Sequence, residues 1–381
     1  MINKIKVINF KCYQSAEFNL SNLSVFCGNN SVGKSTAIQA LGLLLQAKFE
    51  PKVPLNGELI SLGYNSDIHN THNLHENQLS ITIESSKGSA SWGYQSAEEA
   101  ETLRSAIVLK VDNNAELVAK SLKEYYKENC FQYLQAERFG PRDFQSLPMD
   151  SFHEDWLGSK GEFTNAVLNR LINIKEKRLD DIKVGEITKN DYRVHPNKNI
   201  KFVSKNIEFW MSEISPGFNM HPKIEEKANI SYSSYSNANG AQRRPVNMGF
   251  GLSYSLSIVT ALLNAPIGGL VVIENPEAHL HPRGQSYLGR LIALAALSGV
   301  QVIVETHSDH LLNGIRVIAR LNEDYKTGCF KIYYISNGEI QSNIDELPIG
   351  EKGELPCWPK GFFDQQGVDI KTLLKGEELS I

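Results

Sequence analysis

One short segment near the amino terminus constrains this chain more than any other feature. The pattern G-x-x-x-x-G-K-[ST] is matched by Gly28, Asn29, Asn30, Ser31, Val32, Gly33, Lys34, Ser35 and Thr36. An apolar strand is predicted before it, at 23–27, and a helix rich in Ala, Leu and Gln after it, at 35–47. Glycines allow the backbone to wrap around phosphates, and the first N–H groups of the helix attract negative charge. The segment therefore predicts a phosphate-binding loop, in which Lys34 reaches the β- and γ-phosphates and the Ser35 hydroxyl holds Mg²⁺.

A second apolar strand, predicted at 269–273, ends in the acidic sequence Glu274-Asn275-Pro276-Glu277. A carboxylate at such a strand end can hold the Mg²⁺ shell from the side opposite the loop serine. Glu274 occupies that position, so we predict that Glu274 is both a metal-site residue and part of the catalytic centre.

A third strand, predicted at 300–305, is followed by Thr306, His307 and Ser308. A histidine at the end of a buried strand beside a phosphate-binding loop can contact the γ-phosphate or orient an attacking water. His307 is therefore a predicted catalytic residue.

The wider pattern predicts an α/β fold, a P-loop ATPase head with a mostly parallel central sheet. Short apolar strands alternate with helices from 250 to 336, which is typical of a parallel sheet buried on both faces. Alternating residues at 78–111 indicate an antiparallel β-meander, and Lys-rich pieces at 160–230 indicate an inserted helical arm. The predicted domains are an N-terminal lobe at 1–158, the arm and a mobile loop at 159–240, a C-terminal lobe at 241–344 and a tail module at 345–381.

Composition excludes several classes of protein. The 39 Lys and Arg residues against 43 Asp and Glu give a net charge of −4, which argues against a basic nucleic-acid coat and a polybasic membrane binder. The uncharged stretch 245–273 is interrupted by Asn264, Pro266 and Gly268, so it predicts buried core and no membrane span. Five cysteines without a CxxC pair, and no signal-peptide pattern, predict a cytoplasmic protein.

The order of these motifs resembles a known family. The chain has Asn9-Phe10-Lys11, the GxxxxGKST segment, Gly249-Phe250-Gly251-Leu252-Ser253, the run Glu-Asn-Pro-Glu-Ala-His-Leu-His-Pro from 274, and Thr306-His307-Ser308. This series resembles the ATP-binding-cassette-like ATPases, and more narrowly the structural-maintenance-of-chromosomes, RecF and overcoming-lysogenization-defect group. The resemblance extends over 1–50 and 245–340. Residues 354–365 are similar to a C-terminal module of unknown function found in one bacterial subfamily.

The resemblance implies that two ATP molecules, each with Mg²⁺, are held between two heads of the same protein. Each phosphate-binding loop then faces a signature segment of the other head, so the chain is expected to form a head-to-head dimer or a higher oligomer. Residues 247–253 match that signature, although the usual Leu-Ser-Gly-Gly-Gln spelling is absent. Gly251 permits close approach, and Ser253, near a helix N-terminus, can bind the γ-phosphate.

One position departs from the family pattern. The acid at the end of the second strand is normally followed by a catalytic glutamate, and this chain has Asn275 there. An amide cannot act as a general base toward water. Either Glu277 takes over as the catalytic base, or hydrolysis is slow and ATP serves mainly to hold the dimer together. We favour the second possibility, a slow switch, in which ATP binding holds the dimer together and hydrolysis is slow.

Weaker signals lie around residue 135 and in the tail. Gln135 is predicted to contact Mg²⁺ or its water, and Arg138 either binds a phosphate or forms a surface ion pair with Glu137. The tail aromatics Trp358, Phe362 and Phe363 either pack on the body, the interpretation we favour, or form a plug for a partner. The spacing of His279 and His281 suggests a metal site, but a loop that contacts the partner head is the preferred interpretation.

These features predict an ATPase that dimerises around ATP and controls a partner effector. The family resemblance suggests that the effector is a nuclease in bacterial anti-phage defence. The alternative is an ATP-gated protein that clamps or tethers DNA, which leaves nucleic-acid binding open, whereas no membrane partner is expected. A clamp would require long coiled-coil arms, and 160–230 lacks sustained heptads.

Overall fold

A computed structural model describes residues 1–70, 72, 78–109, 113–149, 151–236, 240–357, 359 and 362–375. The strands are β1 (Ile2–Phe10), β2 (Tyr13–Asn19), β3 (Leu23–Gly28), β4 (Lys52–Pro54), β5 (Leu79–Ser85), β6 (Gly88–Tyr94), β7 (Ala106–Leu109), β8 (Phe131–Leu134), β9 (Gln145–Ser146), β10 (Ile182–Val184), β11 (Ile187–Lys189), β12 (Asn219–Glu225), β13 (Ile230–Ser236), β14 (Gln242–Arg243), β15 (Leu270–Glu274), β16 (Gln301–Glu305), β17 (Phe330–Ser336) and β18 (Asn343–Pro348). The helices are α1 (Lys34–Gln46), α2 (Asn65–Ile68), α3 (Ala97–Leu103), α4 (Asn113–Asn129), α5 (Thr164–Asn173), α6 (Val203–Ile214), α7 (Phe250–Asn264), α8 (Pro282–Leu297), α9 (Asp309–Leu321) and α10 (Gln365–Lys375).

The central sheet has the order β18-β17-β3-β16-β15-β8. Every neighbouring pair is parallel except β17 and β18, which confirms the predicted mostly parallel sheet. Along β15, Leu270 and Val272 face one core cluster while Val271 and Ile273 face the other. Because both faces of the strand are buried, its sequence is continuously apolar instead of alternating.

A second sheet, wholly antiparallel, has the order β2-β1-β5-β6-β7-β4. It contains the predicted meander at β5, β6 and β7. The sequence analysis missed β2, which pairs with β1 along most of its length. Helix α1 packs between this sheet and the central sheet, and ten of its residues are buried. The phosphate-binding segment therefore leads into a helix that is held on two sides.

Residues 159–240 are less helical than predicted. Helices α5 and α6 are present, but the hairpins β10–β11 and β12–β13 accompany them. On α6, Val203, Ile207 and Met211 recur at a helical spacing and are buried in the core shared with α7. The helices therefore pack on the body, because this packing buries the apolar face of α6. The mobile loop predicted at 231–240 is instead strand β13 up to Ser236, and 237–239 lie outside the described residues. The domain boundaries themselves stay predictions.

The uncharged stretch 245–273 becomes the largely buried helix α7 followed by β15. Its apolar character comes from packing inside the body. Within the residues that the structure describes, none of the helices has the length and hydropathy needed to cross a membrane.

Candidate nucleotide site

The candidate site lies where three parallel strands end. Strands β3, β16 and β15 are neighbours, and their carboxyl ends carry Gly28, Glu305 and Glu274. The register pairs Glu274 with Glu305, so the two carboxylates lie side by side at one edge of the sheet. Open parallel sheets commonly bind ligands at this edge.

The loop between β3 and α1 has the backbone that its sequence predicts. Gly33 has a φ of +104°, a conformation that favours glycine, and a Cβ atom there would lie 2.4 Å from the Cys12 sulfur. Lys34 is buried, and its ammonium donates a hydrogen bond to the Asn29 carbonyl across the loop. Burial lowers the pKa of Lys34, while the nearby Glu305 carboxylate opposes that shift. The ammonium thus lies inside the loop, where phosphate oxygens would be held.

The hydrogen-bond partner of Ser35, the predicted magnesium ligand, is a residue that was not predicted from the sequence. The Ser35 hydroxyl donates a hydrogen bond of 2.9 Å to Oε1 of Glu305. Glu305 is 6% exposed, and burial together with the neighbouring Glu274 carboxylate raises its pKa to about 7. A signal was present in the sequence, because Glu305 ends an apolar strand as Glu274 does.

Glu274 lies beside this pair but is held by other groups. Its Oε1 accepts a hydrogen bond of 2.7 Å from the Tyr133 hydroxyl, and its Oε2 accepts one of 3.1 Å from the Ala136 backbone N–H. Both donors come from β8 and the residues that follow it. The predicted position at the strand end is therefore present, while the direct contact with Ser35 belongs to Glu305.

Asn275 occupies a tightly constrained position. It has a φ of 44°, and its N–H donates to the Glu305 carbonyl at 2.9 Å. Its own carbonyl accepts a hydrogen bond of 2.6 Å from Arg138. The side-chain Oδ1 is buried and has no hydrogen-bond partner among the described residues. Asn275 thus brings an acceptor oxygen, and no carboxylate, to the place of the usual catalytic glutamate.

Arg138 joins the ends of two strands. Its guanidinium donates to the carbonyl oxygens of Gln135, Glu274 and Asn275 at 2.6–2.7 Å, and the side chain is 3% exposed. The surface ion pair proposed between Arg138 and Glu137 is therefore wrong. Glu137 points outward and pairs with Lys160 at 2.7 Å. Arg138 is buried, and a buried cation needs hydrogen-bond acceptors inside the protein. The three carbonyl oxygens supply them, whereas the Glu137 carboxylate lies in solvent.

Glu277 holds the histidine loop. Its Oε2 accepts a hydrogen bond of 2.8 Å from the Thr306 hydroxyl, and its Oε1 accepts one of 2.7 Å from the His307 backbone N–H. The His307 ring hydrogen-bonds to the Gly28 backbone, and partial burial together with the Lys34 ammonium lowers the pKa of His307. The structure thus brings Glu277 and His307 next to the phosphate-binding loop and to each other.

Gln135 follows β8 directly. Its side-chain amide nitrogen donates to the Leu59 carbonyl, and its backbone N–H donates to Ser159 at 2.9 Å. The side-chain NH₂ group therefore faces the loop at 58–59. The proposed metal contact of Gln135 stays a prediction.

A cavity of about 380 Å³, called here the P-loop cavity, opens beside the phosphate-binding loop. One side is formed by the loop and the histidine segment, and the other by the tail module. Its lining residues are Gly28, Asn29, Asn30, His307, Tyr334, Phe362, Phe363 and Asp364. The tail thus contributes to the candidate site, which the sequence did not indicate.

The signature residues lie elsewhere. Ser253 lines a different crevice, together with Gly140 and Arg142, and is absent from the lining of the P-loop cavity. Gly251 packs so closely on the loop after β15 that a Cβ atom would lie 2.4 Å from the His279 carbonyl. Gly251 and Ser253 thus do not line the P-loop cavity of their own chain.

The donor groups at the sheet edge suit magnesium. A hydroxyl, two carboxylates and an amide oxygen are hard oxygen ligands, and Mg²⁺ usually takes one or two carboxylates in addition to substrate phosphates. Across the described residues, no group of three or more His, Cys, Asp and Glu side chains could hold a metal ion. With a hydroxyl and two carboxylates, the sheet edge fits a Mg²⁺ ion that arrives with a nucleotide; Ser35 and the strand-end carboxylates would hold it. The His279 ring packs edge-on against Tyr254 and at a tilt against Phe250, and His281 caps α8, so both histidines have structural contacts.

Comparison with known families adds three matches. The AAA ATPase domain family matches residues 1–154. A second AAA domain family, whose description refers to the AbiEii toxin of type IV toxin–antitoxin systems, matches residues 137–313. Residues 330–373 match DUF3696, a protein family of unknown function. No curated protein sequence matches the chain significantly.

Three solved structures are similar to this chain, and the first of them supports the fold. The SmcHead bound to the C-winged helix domain of ScpA aligns with a TM-score of 0.52 at 14% identity, covering 91% of this chain and 98% of that chain. The Smc head domain with an extended coiled coil, bound to the C-terminal domain of ScpA and derived from Pyrococcus furiosus, gives 0.47 at 12% identity, with coverages of 98% and 99%. The SMC head domain from Thermotoga maritima gives 0.43 at 11% identity, with coverages of 90% and 98%.

The two AAA domain matches together extend from residue 1 to residue 313, and the strand-end site lies within them. The fold is that of an SMC head. The chain thus carries two AAA ATPase domain matches on a fold similar to that of an SMC head, in agreement with the resemblance to the ATP-binding-cassette-like ATPases.

Proposed function

We propose that this ATPase is a slow nucleotide switch. Two copies close head to head around ATP and Mg²⁺, and the closed dimer controls a partner effector. The observation that carries the proposal is the cluster at the sheet edge. Lys34 and Ser35 lie in one loop, Ser35 contacts Glu305 at 2.9 Å, and Glu305 pairs in register with Glu274.

The separation of the half-sites supports dimerisation. Ser253 lines another crevice and not the P-loop cavity, so in this proposal a nucleotide in the cavity does not meet the signature serine of its own copy. A second copy, related by a two-fold axis, supplies its Ser253 to the first cavity and receives the same contact in return. ATP then contributes binding energy to the dimer.

Slow hydrolysis follows from the side chains near the γ-phosphate position. Asn275 offers no base, and both carboxylate oxygens of Glu277 accept hydrogen bonds from the Thr306–His307 segment. In this proposal Glu277 positions His307, and no carboxylate is free to take a proton from water. Loss of a general base typically costs about 10²–10⁴ in rate.

The effector belongs to the same proposal. The second AAA match refers in its description to a toxin of toxin–antitoxin systems, which supports a role in defence. We propose a nuclease or similar effector as the partner in anti-phage defence, with the nucleotide state of the dimer as the signal.

ATP binding and turnover of a small set of variants test the switch. Lys34→Ala is expected to lose ATP binding. Asn275→Glu, which restores the family carboxylate, is expected to raise turnover by about 10²–10⁴, whereas Asn275→Gln, of the same length but uncharged, is not. Glu277→Gln is expected to lower turnover with ATP affinity kept.

Three results would contradict the proposal. If Lys34→Ala binds ATP as the wild type does, the site is not the nucleotide site. If Asn275→Glu leaves turnover unchanged while Glu277→Gln abolishes it, Glu277 is the base. A wild-type turnover above about 10 per second, near the enzyme median, would exclude a slow switch.

A further inference from the structure

The tail module begins as part of the ATPase head. Phe362 is 1% exposed and belongs to the main hydrophobic core, with its ring 5.2 Å from that of Tyr334 on β17. Phe363 packs against Phe362 at 4.9 Å. Phe362, Phe363 and Asp364 also line the P-loop cavity, opposite Asn29 and Asn30. The point at which the tail is anchored is therefore a wall of the nucleotide site.

From this wall the tail continues outward as α10. Residues 367–375 are all exposed except Thr372, which is half-buried. Ile370, Leu373 and Leu374 recur at the i, i+3, i+4 spacing and form one apolar stripe, in which they are 48%, 82% and 82% exposed. Helices of this length, shorter than about 12–15 residues, are marginal in water without tertiary packing. An apolar stripe on such a helix indicates a surface that another molecule covers.

A matching apolar surface lies beside the signature serine. Val246 and Phe250, just before Ser253, are 48% and 56% exposed. In the head-to-head arrangement, the signature surface of one copy faces the P-loop cavity of the other. Helix α10 starts at the rim of that cavity and is about 16 Å long, from 11 residues at about 1.5 Å each. In that arrangement the signature surface of the second copy approaches the rim at which α10 begins.

We propose that α10 is part of the interface between two heads, and that the occupant of its apolar stripe is the signature surface of a second copy. This inference rests on the proposed ATP-dependent dimer. It assigns a role to the module of unknown function: each tail lies across the nucleotide-bound junction and adds apolar contact to an interface otherwise made of phosphate contacts. Because the junction is two-fold symmetric, the contact forms twice.

The test compares single substitutions on opposite faces of one exposed helix. Leu373→Glu places a charge in the stripe, and Val368→Glu, at a residue 50% exposed on the opposite face, is the matched control. Val246→Glu changes the other side of the proposed contact. Each full-length variant is incubated with Mg²⁺ and a non-hydrolysable ATP analogue, and its mass is measured by analytical ultracentrifugation over a concentration series. A fluorescent ATP analogue measures the nucleotide affinity of the monomer separately, at protein concentrations well below those at which the wild type dimerises.

We expect the wild type and Val368→Glu to dimerise at the same concentration. Leu373→Glu and Val246→Glu should each need at least about tenfold more protein, about 1.4 kcal/mol of interface free energy, with unchanged nucleotide affinity. If the wild type dimerises and Leu373→Glu dimerises equally well, the inference is wrong while the switch stands; another occupant, such as the effector, then covers the stripe. The inference is also wrong if Val246→Glu dimerises as the wild type does. It is equally wrong if Val368→Glu weakens dimerisation as much as Leu373→Glu does. A wild type that binds nucleotide but stays monomeric refutes the proposed function itself.

Discussion

At the residue scale, the carboxylate that faces the magnesium-site serine is Glu305. Its carboxyl group is buried beside Glu274, and its pKa of about 7 lies well above the ordinary value of 4.5. Between about pH 5 and 7 the folded protein therefore keeps a proton on Glu305 that the unfolded chain has released. A bound Mg²⁺ ion would favour the ionised form, so the metal offsets the unfavourable burial of this charge.

This shift predicts a pH dependence of stability in the absence of nucleotide and Mg²⁺. Since the pKa is raised in the folded state, ionised Glu305 destabilises the fold, and its contribution to the free energy of unfolding falls as pH rises from about 4.5 through 7. A shift of this size corresponds to about 3 kcal/mol. Urea unfolding at pH 5.5 and pH 8, with chelator, is the measurement.

The control for this prediction is Glu305→Gln, which keeps the shape and removes the titration. The stability difference between wild type and Glu305→Gln should grow in favour of the variant at pH 8. If the two proteins keep the same difference at both pH values, Glu305 does not titrate in this range.

At the element scale, helix α7 depends on how closely its first turn approaches the loop after β15. Gly251 lies against the His279 carbonyl, and the rings of Phe250 and Tyr254 pack on the His279 side chain. This contact links the signature surface to the Glu274 strand within one chain. A small residue is required at 251 because the two backbones meet there.

Substitution of the two glycines at this helix start tests the contact. In Gly251→Ala the new methyl group would lie 2.4 Å from the His279 carbonyl, so we expect a loss of about 1–3 kcal/mol in unfolding free energy. Gly249→Ala is the matched control, because nothing lies within 4 Å of its Cβ position. Urea denaturation measures both. Equal stability of the two variants would show that the loop moves away without cost.

At the scale of the whole molecule, the tail and the head form one body through Phe362. The ring is buried in the core that also contains α7, α8 and β16. The predicted packing of Phe362 on the body is thus present, while Trp358 lies outside the described residues. Removal of this anchor should free the tail before it affects the central sheet.

Phe362→Ala tests whether the tail is released while the central sheet stays folded. Truncation of a buried phenylalanine typically costs about 3–5 kcal/mol, and here the lost contacts are those of the tail. Hydrogen exchange measured by mass spectrometry should show loss of protection at 362–375, with β15 and β16 still protected. Phe363→Ala, at a half-buried site, should have the smaller effect. Uniform loss of protection across the central sheet would show instead that Phe362 holds the whole fold.

Much of this protein followed from the sequence alone. The GxxxxGKST segment, the apolar strands with acidic ends and the histidine after the third strand were predicted because each is a local pattern. A loop, a strand and a strand end are set by neighbouring residues and by burial on both faces. The mostly parallel sheet and the positions of Lys34, Glu274 and His307 around the phosphate-binding loop could therefore be predicted directly from the sequence.

Only the tertiary structure decided which groups meet. That Ser35 contacts Glu305, that Arg138 is buried among strand-end carbonyls, and that α5 and α6 pack on the body depend on segments far apart in sequence. The same holds for the tail beside the P-loop cavity. Spacing along the sequence does not predict which distant segments come into contact. The packing of the whole chain determines the register between strands and the surfaces against which apolar faces are buried.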